Sequence, residues 1–128
     1  MSHFTTVKTK ITDRECVKKA VKELGYNYSD IRAEIKGYED RKVRADIAIK
    51  TGTSCDIGIV WNGETCDIIA DWWGVEQGSP IRQKNFIQAI TQKYAYLKTK
   101  EVLSEQGFTL AEEEVNEKQE IVLTVRQW

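Results

Sequence analysis

Cys55-Asp56-Ile57-Gly58-Ile59-Val60-Trp61-Asn62-Gly63-Glu64-Thr65-Cys66-Asp67-Ile68-Ile69-Ala70 is the stretch on which the fold turns. On either side of Asn62-Gly63 apolar residues recur at every second position, the period of a strand buried on one face. Asn-Gly suits the two positive φ angles of a type I′ turn, so the stretch is predicted to be a β-hairpin with those residues as its loop. Such a loop sets Trp61 opposite Glu64, Ile59 opposite Cys66, Ile57 opposite Ile68 and Cys55 opposite Ala70, all on the core face. The other face, with Asp56, Gly58, Val60, Thr65, Asp67 and Ile69, is more mixed and is expected to be wetter.

Towards the N-terminus the same period of two runs through Val43-Ala45-Ile47-Ile49 and Ile31-Ala33-Ile35, and Phe4 to Ile11 alternates in the same way. Between them, Thr12 with Glu15 has the spacing of a capping box, Val17, Ala20, Val21 and Leu24 recur at helical spacing, and Gly25 is placed to end that helix. Towards the C-terminus, Gly78-Ser79-Pro80 gives a loop, an N-cap and the residue suited to the first helical position. Helix formers then continue to about Gln106, with Phe86, Ile87, Ile90, Tyr94 and Leu97 in one apolar stripe. Two last strands are predicted over Phe108 to Val115 and Glu120 to Arg126, joined across Asn116-Glu117-Lys118. The order β-α-β-β-β-β-α-β-β is an α+β pattern, because short turns leave no room for parallel crossovers. The expectation is a single domain over residues 1–128: an antiparallel sheet of about six to seven strands with two helices packed on one face.

The chain has 128 residues, 41% of them hydrophobic, with 19 Lys+Arg against 20 Asp+Glu and a formal charge of -1. The overall cation excess of a dedicated nucleic-acid binder is missing, so any electrostatic role is local. Cys16, Cys55 and Cys66 form no C-x-x-C and cannot all pair with one another, which points to a reducing compartment. The predicted hairpin also sets Cys66 opposite Ile59 rather than Cys55, which disfavours a disulfide between those two. The N-terminus lacks the basic region and apolar run of a secretory signal, and no apolar stretch is long enough for a transmembrane helix.

No G-x-S-x-G, H-E-x-x-H, P-loop or glycine-rich dinucleotide turn is present. His3 is the single histidine. The carboxylates Asp46, Asp56, Asp67 and Asp71 fall on neighbouring strands, but a solvated sheet face is the simpler account of them than a metal site. No cofactor and no metal are expected. Trp72-Trp73 is the more informative signal: adjacent residues of a strand point to opposite faces, so one indole should lie outside, where Trp commonly marks a contact. On the long helix Arg82, Lys93 and Lys100 project within about 20° of each other and make a cationic ridge. The acidic run Glu112, Glu113, Glu114, Glu117 and Glu120 is its complement in charge.

The opening Met1-Ser2-His3-Phe4-Thr5-Thr6-Val7, the segment Gln92-Lys93-Tyr94-Ala95-Tyr96 and the ending Ile121-Val122-Leu123-Thr124-Val125-Arg126 resemble the "hypothetical chloroplast reading frame thirty-five" family of cyanobacteria and plastids. The resemblance spans nearly the whole chain, and the opening heptad is its most specific part. It implies a cyanobacterial cytoplasm or a plastid stroma and an accessory role, assisting a photosynthesis-related or ATPase/ferredoxin-linked system. It carries no catalytic residue onto this sequence.

The leading expectation is a small non-enzymatic interaction or assembly factor that binds a protein partner through Trp72, Trp73, Arg82, Lys93 and Lys100. A redox or metal-dependent enzyme using His3, a cysteine or the Asp set is the first alternative. An RNA-binding module is the second, with no aromatic signature on a strand to support it.

Overall fold

The alternating stretch around Asn62-Gly63 folds as a hairpin in the computed structural model, which describes residues 3–115 and 121–127. The elements run β1 (Thr5–Lys8), α1 (Arg14–Glu23), β2 (Tyr28–Ser29), β3 (Glu34–Lys36), a 3-10 turn (Tyr38–Asp40), β4 (Lys42–Arg44), β5 (Ile47–Ile49), β6 (Ile57–Asn62), β7 (Thr65–Ala70), α2 (Trp72–Gly78), α3 (Gln83–Glu105), β8 (Phe108–Val115) and β9 (Ile121–Gln127). The α+β class and the antiparallel pairing agree with the sequence reading. Five strands form the main sheet, in the order β1-β7-β6-β5-β2, while β3-β4 and β8-β9 are separate two-stranded pairs. There are three helices among the described residues rather than two, because the Trp72-Trp73 segment is helical.

The hairpin register differs from the Asn62-Gly63 expectation. Asn62 joins the ladder opposite Thr65, so the two-residue loop is Gly63-Glu64, with Gly63 at φ +74 in the first central position. That is the arrangement of a type II′ turn, which needs glycine at its first place only. Every pair slides by two residues: Ile59 faces Ile68, Ile57 faces Ala70 and Trp61 faces Cys66. A shift of two preserves the alternation, so Cys55, Ile57, Ile59, Cys66, Ile68 and Ala70 still share the buried side. Cys55 and Cys66 are not bridged; all three cysteines are free and buried.

Three helices cover that side of the sheet. α1 starts at Asp13, not at Thr12, because the Asp13 carboxylate accepts the Cys16 N–H at 3.0 Å. It ends in a Schellman motif: Gly25 takes φ +91, its N–H reaches the Lys22 carbonyl and that of Tyr26 the Val21 carbonyl. Val17, Ala20 and Val21 face the sheet, joined by Trp72 and Val75 of α2 and Phe86 and Ile90 of α3, with Ile87, Tyr94 and Leu97 packed around them. Each fully buried aliphatic side chain in this layer contributes roughly 1.5–3 kcal/mol. α3 is N-capped by Arg82 and begins at Gln83, three residues later than the Pro80 expectation, because the Ser79 hydroxyl donates back to the Val75 carbonyl and closes α2 first.

The opposite side of the sheet is not the wet face that its composition suggested. The β3-β4 hairpin lies over it, and Ala33, Ile35 and Ala48 form a second buried cluster with Phe4, Val43, Ala45 and Ile69 at its margin. Gly58 permits this approach: a Cβ there would meet Ile35 Cδ1 at 3.0 Å and Ala45 Cβ at 3.1 Å. The apolar run Val43-Ala45-Ile47-Ile49 is therefore two strands. It leaves the hairpin for the sheet at Ala45-Asp46, where the Ala45 N–H still donates to Ala33 and the Asp46 N–H already donates to Ile59.

β8 and β9 pair antiparallel from Phe108 opposite Gln127 to Val115 opposite Ile121, with an irregularity between Leu110 and Glu112. The expected connection Asn116-Glu117-Lys118 lies outside the described residues, as do the side chains of the acidic run.

Candidate functional site

Asp71 organises the surface that carries Trp73. One carboxylate oxygen accepts the Gly74 N–H at 3.2 Å and caps α2; the other accepts the Tyr38 N–H at 2.9 Å and ties the 3-10 turn to the same point. Asp71 is 1% exposed. Gly37 precedes the turn where a Cβ would meet Phe4 Cζ at 2.8 Å and Asp71 Cβ at 3.2 Å, so the chain passes close beneath it. The result sets the Tyr38 and Trp73 rings edge to face, centroids 5.1 Å apart at 83°. Both are large aromatics left open to solvent, Tyr38 45% and Trp73 46% exposed.

The two tryptophans part company as expected, although not as strand neighbours. On α2 they are offset by about 100°. Trp72 turns inward onto Phe86, with ring centroids 5.9 Å apart, and its buried indole N–H has no hydrogen-bond partner. Val75 follows it at the next buried position of the helix. The helical signal was present in the sequence: Asp71 as N-cap, the 72/75 apolar spacing, and Ser79-Pro80 just past the end.

The structure divides the expected ridge Arg82, Lys93, Lys100. The two lysines flank one ring, with Lys93 Nζ 5.6 Å and Lys100 Nζ 5.7 Å from the Tyr96 centroid. Arg82 sits elsewhere: its Nη1 donates to the carbonyls of Glu76, Ser79 and Ile81 at 3.0–3.1 Å, clamping the α2-α3 connection. Eleven residues of helix separate Arg82 from Lys93, about 16 Å along the axis. Tyr38 was missed by the sequence reading. Its signal was a lone aromatic in the polar turn Gly37-Tyr38-Glu39-Asp40.

The three thiols and the carboxylates of Asp46, Asp56 and Asp71 are buried in the fold or bonded to its backbone. Burial pushes the thiols of Cys16, Cys55 and Cys66 up from their ordinary range, away from the reactive thiolate. The Asp46 carboxylate accepts the Trp61 N–H at 2.6 Å, and the buried Asp56 accepts the Lys36 N–H at 2.9 Å with Lys50 Nζ 3.5 Å away. Asp67 is half-buried and lies opposite Val60 in the ladder, and His3 is exposed. Among the described residues no three His, Cys, Asp or Glu side chains gather as a metal site would require. No helix among them is long and apolar enough to cross a membrane.

Residues 20–124 match the family model described as protein of unknown function, DUF1257. Uncharacterised proteins named ycf35 from Guillardia theta and Pyropia yezoensis are each 33% identical over 128 residues, covering 100% of this chain and 98% of the relative. The namesake from Cyanophora paradoxa is 34% identical over the same span and coverage. No solved structure matches. The chain thus belongs to the DUF1257 family, in the company of these uncharacterised plastid proteins.

Proposed function

We propose that the protein is a non-enzymatic interaction factor whose contact surface is centred on Trp73 and Tyr38, with Lys93 and Lys100 presented on α3. One observation carries this reading: two half-exposed aromatic rings are held edge to face by a buried carboxylate that fixes both backbone segments. Preset aromatic rings offer large apolar area at little ordering cost, which is what an interface anchor needs. The buried thiols and backbone-bonded carboxylates support a role without covalent chemistry. A place in the assembly or upkeep of a photosynthesis-related or ATPase/ferredoxin-linked system is the finer form of the reading.

The test is affinity capture of the tagged chain from its own cell extract, wild type beside the double variant Trp73→Ala, Lys93→Glu. Loss of a co-purifying protein at an unchanged melting temperature supports the proposal. Equal recovery by both forms refutes it.

A further inference from the structure

A cleft of about 360 Å³ opens between the start of α1, the β2-β3 connection and the β4-β5 junction, at the small end of the range of small-ligand sites. Arg14, Arg32 and Arg44 line it, with Asp30 and Asp46 the carboxylates among its described lining residues. Asp30 Oδ2 pairs with Lys18 Nζ at 3.0 Å, and Asp46 Oδ2 accepts the Trp61 backbone N–H. Among the described residues no carboxylate comes within 4.0 Å of the Arg14, Arg32 or Arg44 guanidinium groups. Even Glu34, directly opposite Arg44 in the β3-β4 ladder, makes no such contact.

The cleft is also built rather than incidental. Arg14 Cζ lies over the Trp61 ring, 4.6 Å from its centroid, a cation–π contact that holds the guanidinium at the cleft wall. Arg32 holds φ +49, a conformation costly for a side chain that is neither glycine nor asparagine, and it does so at the lip of this cleft. Guanidinium forks match phosphate oxygens two at a time, and three of them against two carboxylates, none in direct contact with a carboxylate, favour an anionic ligand that more than one fork can share. We propose that this cleft binds a small phosphorylated molecule through Arg14, Arg32 and Arg44. The site is separate from the Trp73-Tyr38 surface and stands or falls without it.

Isothermal titration of the full chain with inorganic pyrophosphate and with ADP, at low salt and against sulfate at matched ionic strength, tests the proposal. Both diphosphates should bind more tightly than sulfate. ADP binding more tightly than pyrophosphate assigns the source to a nucleotide; equal binding assigns recognition to the phosphoryl group alone. The double variant Arg32→Asn, Arg44→Gln keeps a residue that tolerates the left-handed backbone at position 32 and should weaken binding by about tenfold or more. The Lys-for-Arg version should weaken it measurably, and Lys10→Gln with Lys84→Gln should leave it unchanged. Should the double variant not fold, Arg44→Gln alone serves, with a smaller loss expected. The proposal is overturned by diphosphate binding no tighter than sulfate, by equal binding of wild type and the neutralised variant, or by full affinity in the Lys-for-Arg version.

Discussion

Asp71 and Tyr38 are joined by a 2.9 Å hydrogen bond from the Tyr38 N–H to a carboxylate oxygen that is sealed from solvent. They lie 33 residues apart in sequence, and this bond connects the turn over one face of the sheet to the helix that covers the other.

Removing that carboxylate should therefore act twice. Asp71→Ala leaves two backbone donors unsatisfied and uncaps α2, at about 2–4 kcal/mol from one lost cap and one orphaned donor. Urea denaturation should show that loss, and Trp73 emission should shift to the red as Tyr38 moves away. Asp71→Asn keeps one acceptor and should fall between the two.

A methyl group at position 74 has nowhere to go, since its Cβ would collide with the Cys55 sulfur. Gly74→Ala should cost about 1–3 kcal/mol even though alanine is the better helix former. In a Cys55→Ala background the nearest atom is Cys55 Cβ at 3.4 Å, an ordinary contact. There the same substitution should be nearly neutral, and a double-mutant cycle by chemical denaturation reads the coupling directly.

Acid sensitivity should trace in part to the clasp between α1 and α3. Lys98 Nζ lies 2.7 Å from Asp13 Oδ2, and this bond, with that from the Cys16 N–H, holds the Asp13 carboxyl below its ordinary 3.8. A depressed carboxyl stabilises the folded state fully above its unfolded value and loses that contribution as pH falls through the folded one. Lys98→Met should thus flatten the stability curve below about pH 4 relative to wild type, in urea melts taken across that range.

The thiols should be silent in the native protein. All three are buried, and burial raises each toward the neutral form. A chromogenic disulfide reagent near neutral pH should label none in the folded chain and all three in denaturant. Fast labelling of any one without denaturant would mean that the structure burying it opens readily.

How far the sequence speaks for the structure depends on the range of the interaction involved. Gly25 and the β6-β7 alternation were legible because each states a local requirement, a positive φ or a period of two. The loop at Gly63-Glu64 was misplaced by one residue because Asn62-Gly63 satisfies one turn type and Gly63-Glu64 another, and only the packed sheet decides between them. The hairpin over the second face was invisible for a different reason. Val43 and Ala45 alternate smoothly into Ile47, and the switch between pairing partners depends on Asp46 finding the Trp61 N–H across the fold. The Trp72-Trp73 pair told that one indole would lie outside but not which, and Tyr38 becomes the neighbour of Trp73 only through the non-local bond to Asp71. The arginine cleft was equally out of sight, since residues 14, 32 and 44 meet only after three elements have converged.

The outermost members of the main sheet are short, four residues in β1 and two in β2. A neighbouring molecule would find only a few free backbone groups to zip onto there, too few to seed a growing ribbon. Fibril growth from this sheet would first require pulling a central strand out of its place, so that resistance to self-polymerisation is set by the same cooperative unfolding barrier that protects the core.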